Sequence, residues 1–127
     1  MKKIIVLKGV SKSGKSTTIN KLYKELSGIE SKRKEVIKSF EYKDKKIAII
    51  SIGDLLELIE RYFKQIGDFD ILICACRSKW ATPEFYEAKR NSDCDVEFIP
   101  KEKGKYGDDE IVKQIKNKID EWINKNP

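Results

Sequence analysis

Short apolar runs alternate with amphipathic segments along the chain, and this alternation limits the fold more than any other feature of the sequence. Apolar, largely β-branched runs cover residues 3–8, 47–52, 71–76 and 96–100, and a segment with apolar residues at helical spacing follows each of them. Strands that alternate with helices form a mainly parallel sheet with helices on its faces. We therefore expect an α/β fold in a single domain, residues 1–127.

Residues 35–52 predict an antiparallel hairpin. Residues 35–42 alternate imperfectly between polar and apolar side chains, a polar turn follows at 43–46, and the apolar run 47–52 returns. So short a turn can join only antiparallel strands. With the five predicted strands numbered along the chain, we predict a three-layer sandwich with the spatial strand order 2-3-1-4-5. Its five-stranded sheet is expected to be parallel except for strand 2, an antiparallel edge strand.

The composition excludes several kinds of catalytic site. The chain has no histidine, which removes histidine-based triads and mixed Cys/His zinc sites. Its three cysteines cannot supply the four ligands of a structural zinc site. An odd number of cysteines suits a reducing compartment, and the apolar run Ile4 to Leu7 is too short for a signal peptide. We expect a cytoplasmic protein that is not inserted in a membrane.

One segment carries a motif with a chemical mechanism. Gly9-Val10-Ser11-Lys12-Ser13-Gly14-Lys15-Ser16 matches the pattern G-x-x-x-x-G-K-[ST], between the first predicted strand and the first predicted helix. Glycines in such a loop allow a tight turn, in which inward-pointing amides and the helix N-terminus bind phosphates. The lysine reaches the β- and γ-phosphates, and the hydroxyl binds magnesium. The predicted nucleotide-binding residues are Gly9, Val10, Ser11, Lys12, Ser13, Gly14, Lys15, Ser16 and Thr17.

This loop resembles that of the P-loop NTPases, and the run from Lys8 to Thr17 is most similar to the loops of nucleotide and small-molecule kinases. The resemblance implies a P-loop domain that binds ATP with Mg²⁺ and transfers a phosphoryl group to a small acceptor or to water. Lys15 is then a catalytic cation and Ser16 a metal ligand. Lys12 stands where such kinases often have glycine, so it either adds a second ammonium near the phosphates or points into solvent.

Two residues at predicted strand ends complete the expected catalytic set. A P-loop protein holds magnesium with a carboxylate at the tip of a nearby strand, and Asp54 follows the apolar run 47–52. Alternatively, Asp54 only caps the next helix. Arg77 follows the run 71–76, and we expect it to stabilise charge on the transferring phosphoryl group. For Arg90 we favour a surface ion pair.

The base is predicted to be adenine rather than guanine. The segment 117–120 reads Asn-Lys-Ile-Asp and spells the N-K-x-D guanine motif, but it lies inside the last predicted helix. There Ile119 belongs to the buried stripe, whereas guanine motifs follow a strand. Tyr106, after the fifth strand, and Trp80 are alternative stacking groups for the base, or packed surface side chains.

Two functions stay open. The first is a phosphotransferase or NTP hydrolase, and the second is a nucleotide-dependent binding module, an ATP or GTP switch, that controls a protein partner with little catalysis. The chain has a net charge of +6, with its lysines concentrated in residues 1–46, which would attract nucleic acid. Because Lys12 and Lys15 already face nucleotide phosphates, we do not expect a nucleic acid as the partner. Only residues 28–34 and 77–81 remain to bind a second substrate.

Overall fold

The computed structural model describes residues 2–10, 13–31, 36–52, 55–77, 81–90, 93–101 and 108–127. Strands and helices alternate along this part of the chain. The strands are β1 (Lys2–Lys8), β2 (Ile37–Tyr42), β3 (Lys45–Ile50), β4 (Ile71–Cys76) and β5 (Cys94–Pro100). The helices are α1 (Lys15–Ser27), α2 (Leu56–Ile66), α3 (Ala81–Glu87) and α4 (Asp108–Lys125).

The five strands form one mixed sheet in the order β2-β3-β4-β1-β5. β2 and β3 are antiparallel, and the other neighbours are parallel. The turn between β2 and β3 consists of Lys43 and Asp44, which both have positive φ, 50° and 65°, as a two-residue hairpin turn of type I′ requires. The predicted α/β class, the mainly parallel five-stranded sheet and the antiparallel edge strand are therefore confirmed.

The predicted strand order 2-3-1-4-5 is wrong, because β4 lies beside β3 and β1 pairs with β5. Charge explains the difference. Nζ of Lys3, in β1, lies 2.7 Å from the Asp95 carboxylate and 3.4 Å from that of Glu97, both in β5. Lys3 is buried, and a buried ammonium requires such partners. β4 has no charged side chain, and it matches the apolar end of β3 instead, with Ile71 opposite Ile47.

Helices cover both faces of the sheet. α1 and α4 pack on one face, where Ile5, Ile73 and Ile115 belong to one core cluster. α2 and α3 pack on the other face, in a cluster that includes Val6 and Leu72. The arrangement is that of a three-layer sandwich, and all side chains of β4 are buried. None of the helices in the described segments is both long and apolar enough to cross a membrane.

The parallel strands end along one edge of the sheet. β1, β4 and β5 end level with one another, because Lys8 lies opposite both Cys76 and Pro100. Ligands of open α/β sheets bind outside the carboxyl ends of the strands, so the residues that follow these ends mark the part of the surface to search for a site. Those residues are Ser51 after β3, Arg77 after β4, Gly9 after β1 and Lys101 after β5.

Packing of β4 predicts that the three thiols differ in reactivity. Burial raises the pKa of Cys76 to about 12, although the charges of Lys8 and Lys15 act in the opposite direction, and burial raises the pKa of Cys74 well above its usual range. Cys94 is half-buried. Because the thiolate is the reactive form, native protein at about pH 8 should incorporate one equivalent of a thiol reagent, at Cys94, and three after unfolding. Cys94→Ser should abolish native-state labelling, and rapid labelling of this variant would contradict the packing of β4.

Candidate functional site

The turn between β1 and α1 is organised by Lys15, the first residue of α1. Lys15 is only 6% exposed, and its Nζ donates to the carbonyl oxygens of Gly9, at 2.9 Å, and Val10, at 2.7 Å. Its contact with Oγ of Ser13 is 3.5 Å, which is long for a hydrogen bond. Two carbonyl oxygens thus hold the ammonium group against the loop that precedes its own helix.

Helix α1 begins without a side-chain cap. Its N-cap residue, Gly14, has φ 91° and ψ 17°, a left-handed conformation that glycine adopts readily. The first intrahelical hydrogen bond runs from Thr18 N to Gly14 O at 3.0 Å, and the Thr18 hydroxyl donates to the same oxygen at 2.9 Å. The amides of Ser16 and Thr17 precede this bond, in the first turn of the helix, where the helix itself supplies no acceptor. Amides in this position favour an anion.

Gly9 allows the loop to start in close contact with its neighbours. A Cβ atom at this position would lie 2.4 Å from the carbonyl oxygen of Lys101 and 2.8 Å from Oγ of Ser13. Gly9 N donates to Cys76 O at 3.1 Å, and Lys101 N donates to Lys8 O at 2.8 Å. The ends of β4 and β5 therefore enclose the start of the loop on both sides.

Ser16 connects the start of α1 to the end of β3. Its hydroxyl donates to the carbonyl oxygen of Ser51 at 3.3 Å, although β4 lies between β1 and β3 in the sheet. Asp54, three residues after Ser51, lies outside the described residues. The N-cap position of α2 belongs to Leu55, which makes no side-chain cap hydrogen bond, and both roles predicted for Asp54 stay predictions. The contact brings Ser16 to the segment that leads to Asp54.

The two arginines considered above differ in position. Arg77 is half-buried at the end of β4, and its backbone N–H donates to the Thr82 hydroxyl at 3.0 Å. This bond fixes the Arg77 backbone beside the end of β1, the strand that leads to Gly9. Arg90 forms an ion pair with Glu87 on the surface, with Nε 2.8 Å from the carboxylate, which confirms the surface ion pair predicted for it.

The N-K-x-D segment has structural contacts within α4. Ile119 is fully buried, the Asp120 carboxylate accepts a hydrogen bond from the Tyr42 hydroxyl at 2.8 Å, and Lys43 Nζ lies 3.1 Å from it. Lys118 pairs with Glu97 at 2.5 Å. This segment therefore joins α4 to the hairpin and to β5, and rejecting it as a guanine site agrees with its position.

Sequence reasoning missed two buried polar residues at this edge, Ser51 and Lys101. Ser51 is 2% exposed and Lys101 is 4% exposed. Ser51 is the one polar residue in the run 47–52, and a buried hydroxyl needs a partner, so a signal for it exists in the sequence. The position of Lys101 beside Gly9 depends on the pairing of β5 with β1, which the predicted strand order did not contain.

Several predicted site residues lie outside the described residues, namely Ser11, Lys12, Asp54, Trp80 and Tyr106. Over the segments that the structure does describe, no three Cys, Asp or Glu side chains come together as a metal site. Comparisons with protein-family models, with curated proteins and with solved structures found no match to the chain. The function is therefore inferred from the chemistry of the site.

The close contact at Gly9 predicts that a methyl group at this position lowers the free energy of unfolding. Because Lys101 O is a backbone atom, Gly9→Ala should destabilise the protein by about 1–3 kcal/mol and speed hydrogen exchange at the Lys101 amide. Gly28→Ala is the control: Gly28 has φ 76° with nothing within 4 Å of a Cβ, so it should cost about 1 kcal/mol through backbone strain alone and leave that amide protected. Denaturant unfolding and amide exchange measure both effects, and equal exchange in the two variants would refute the contact.

Proposed function

We propose that the chain is a small P-loop protein that binds ATP with Mg²⁺ and transfers its γ-phosphoryl group to a small acceptor or to water. The observation that carries this proposal is the position of Lys15. Its buried ammonium donates to the carbonyls of Gly9 and Val10, and it stands at the start of a helix whose first amides have no intrahelical acceptor. An ammonium and several amides in one turn suit a chain of phosphates, and the turn has the G-x-x-x-x-G-K-[ST] pattern of phosphate-binding loops.

In this proposal the loop binds the phosphates, and Arg77 acts on the reacting bond. The amides from Val10 to Lys15 surround the phosphates, and Lys15 pairs with β- and γ-phosphate oxygens. Arg77, at the end of the strand next to β1, stabilises the charge that develops as the bond between the γ-phosphorus and the bridging oxygen breaks. The electron pair of that bond stays with ADP, the oxygen of the acceptor hydroxyl or of water forms the new bond to the γ-phosphorus, and the proton of that hydroxyl or water passes to solvent.

The chemistry of the donors near Ser16 fits a magnesium ion. Mg²⁺ prefers oxygen ligands, and Ser16 offers a hydroxyl at the point where the loop meets α1. We assign the second ligand to Asp54, which follows Ser51 by three residues, because the Ser16 hydroxyl already contacts Ser51. When bound, the ion neutralises negative charge on the transferring phosphate.

One observation favours the second candidate function, a nucleotide-dependent binding module. Among the described residues, the large apolar side chains exposed by more than half are Val10, Ile29 and Leu55. Val10 belongs to the loop, and Leu55 is the N-cap residue of α2, after the end of β3. A protein partner that covers these two side chains would contact the same edge as the nucleotide, so binding of one would affect binding of the other.

Loss of the Lys15 ammonium should weaken nucleotide binding. Lys15→Ala deletes a charge-assisted contact with the phosphates, so ATP affinity measured by calorimetry should fall by about 10- to 100-fold. Lys24→Ala is the matched control, because Lys24 lies on the same helix with its side chain 61% exposed, and it should bind ATP like the unmodified chain. Unchanged affinity in Lys15→Ala would refute the proposal.

A transfer assay separates the two candidate functions. γ-Labelled ATP is incubated with the protein and a panel of nucleoside monophosphates and small alcohols, and the label is followed into each product. A phosphotransferase moves the label to an acceptor, and a hydrolase releases it as inorganic phosphate. Arg77→Gln should lower the rate and leave ATP affinity nearly unchanged, because its contact strengthens in the transition state. If ATP binds and no label moves, the binding module is the correct function.

A further inference from the structure

Ser51 is the point at which three segments of the chain meet. It is almost completely buried, directly after β3. Its carbonyl oxygen accepts from the Ser16 hydroxyl at 3.3 Å, its Oγ accepts from Val36 N at 2.6 Å, and its N–H donates to Val36 O at 2.9 Å. Ser51 therefore links the first turn of α1 to the chain that leads into β2.

We infer that Ser51 is a positioning residue for the magnesium ligand Ser16, an inference that rests on the proposed function. A serine hydroxyl has one proton to donate and two lone pairs. When the proton of Ser16 is directed at the Ser51 carbonyl, the lone pairs turn away from it and are available to a cation. The Ser51 carbonyl thus selects one rotamer of the Ser16 hydroxyl, and a ligand held in its binding orientation binds its ion more tightly.

The side chain of Ser51 acts by holding its own backbone in place. Its two bonds with Val36 fix the Ser51 peptide on both sides, because one uses the hydroxyl and the other the backbone N–H. Val36 is itself 2% exposed and belongs to the core cluster with α1. Removing the hydroxyl leaves the buried Val36 amide without this acceptor, and such a group costs free energy unless the backbone shifts to satisfy it. We expect the backbone to shift, and this shift moves the carbonyl that orients Ser16.

A positioning role and a purely structural role predict different measurements. A structural role lowers stability and leaves the contribution of magnesium to nucleotide affinity unchanged. A positioning role lowers that contribution, expressed as the ratio of ATP affinities with and without Mg²⁺, while the affinity for ATP in EDTA stays the same. The ratio reports on the metal ligands without requiring any turnover.

The test is a calorimetric titration of ATP with and without Mg²⁺ on the full chain and its variants. Ser51→Ala should reduce the ratio of ATP affinities with and without Mg²⁺, the magnesium ratio, by about fivefold, which corresponds to one neutral hydrogen bond. Ser51→Thr keeps the hydroxyl and should retain the ratio. Ser16→Ala should lower the ratio further, and the double variant Ser16→Ala/Ser51→Ala should match Ser16→Ala, because Ser51 acts through Ser16. Ser27→Ala is the control, since the Ser27 hydroxyl also bridges backbone atoms, Tyr23 O and Ile29 N, but at the far end of α1.

The outcomes separate this inference from the function on which it rests. If the unmodified chain binds ATP more tightly with Mg²⁺ and Ser51→Ala keeps the full ratio, Ser51 is structural and the inference fails alone. Additive losses in the double variant would also overturn it. If the unmodified chain does not bind ATP under either condition, the proposed function fails and the inference with it. Should Ser51→Ala not fold, Ser51→Cys preserves the volume with a weaker acceptor, and its ratio is interpreted in the same way.

Discussion

Parallel hydrogen bonding between β1 and β4 is the constraint on which the remainder of the structure depends. Both strands lie inside the sheet and are covered on both faces, so their apolar side chains are committed to two separate cores. Their paired residues end together, with Lys8 opposite Cys76. Helices occupy both faces, and at the carboxyl edge Gly9 and Arg77 leave the sheet side by side. The pairing of β1 with β4 therefore determines where the candidate site lies, and single residues determine its chemistry.

The alternation of strands and helices could be predicted because the spacing of apolar residues in each segment shows which of its faces is buried. The run Ile71 to Cys76 indicates a strand buried on both faces, and the segment 35–52 indicates a hairpin. The neighbour of each parallel strand could not be predicted in the same way. The pairing of β5 with β1 joins residues such as Lys3 and Asp95, which are far apart in sequence and meet only after folding. A pattern read one strand at a time shows how much of a strand is buried and does not show which strand covers its edge.

In the candidate site, the sequence predicts the residues that belong to one contiguous motif. It misses the residues whose role depends on backbone contacts with segments far away in the sequence. Gly14 and Lys15 belong to a contiguous motif, and their geometry follows from the turn between one strand and one helix. Ser51 contacts Ser16 through its carbonyl oxygen, and Lys101 contacts Lys8 through its N–H, so each contact uses a backbone atom of a residue more than thirty positions away. Any residue type can supply a carbonyl oxygen, so composition and spacing carry no signal for such a contact. Only the buried hydroxyl of Ser51, in an otherwise apolar run, gave a reason to expect a partner.

The contact between Gly9 and Lys101 limits how this chain can vary over evolutionary time. The atom that lies against Gly9 is the Lys101 carbonyl oxygen, which every amino acid possesses. Substitution at position 101 therefore keeps the atom that makes this contact, whereas insertion or deletion of a residue in β5 shifts that atom out of register with the loop. This contact therefore restricts the length of β5 more than the residue type at position 101, and at position 9 it disfavours both kinds of change.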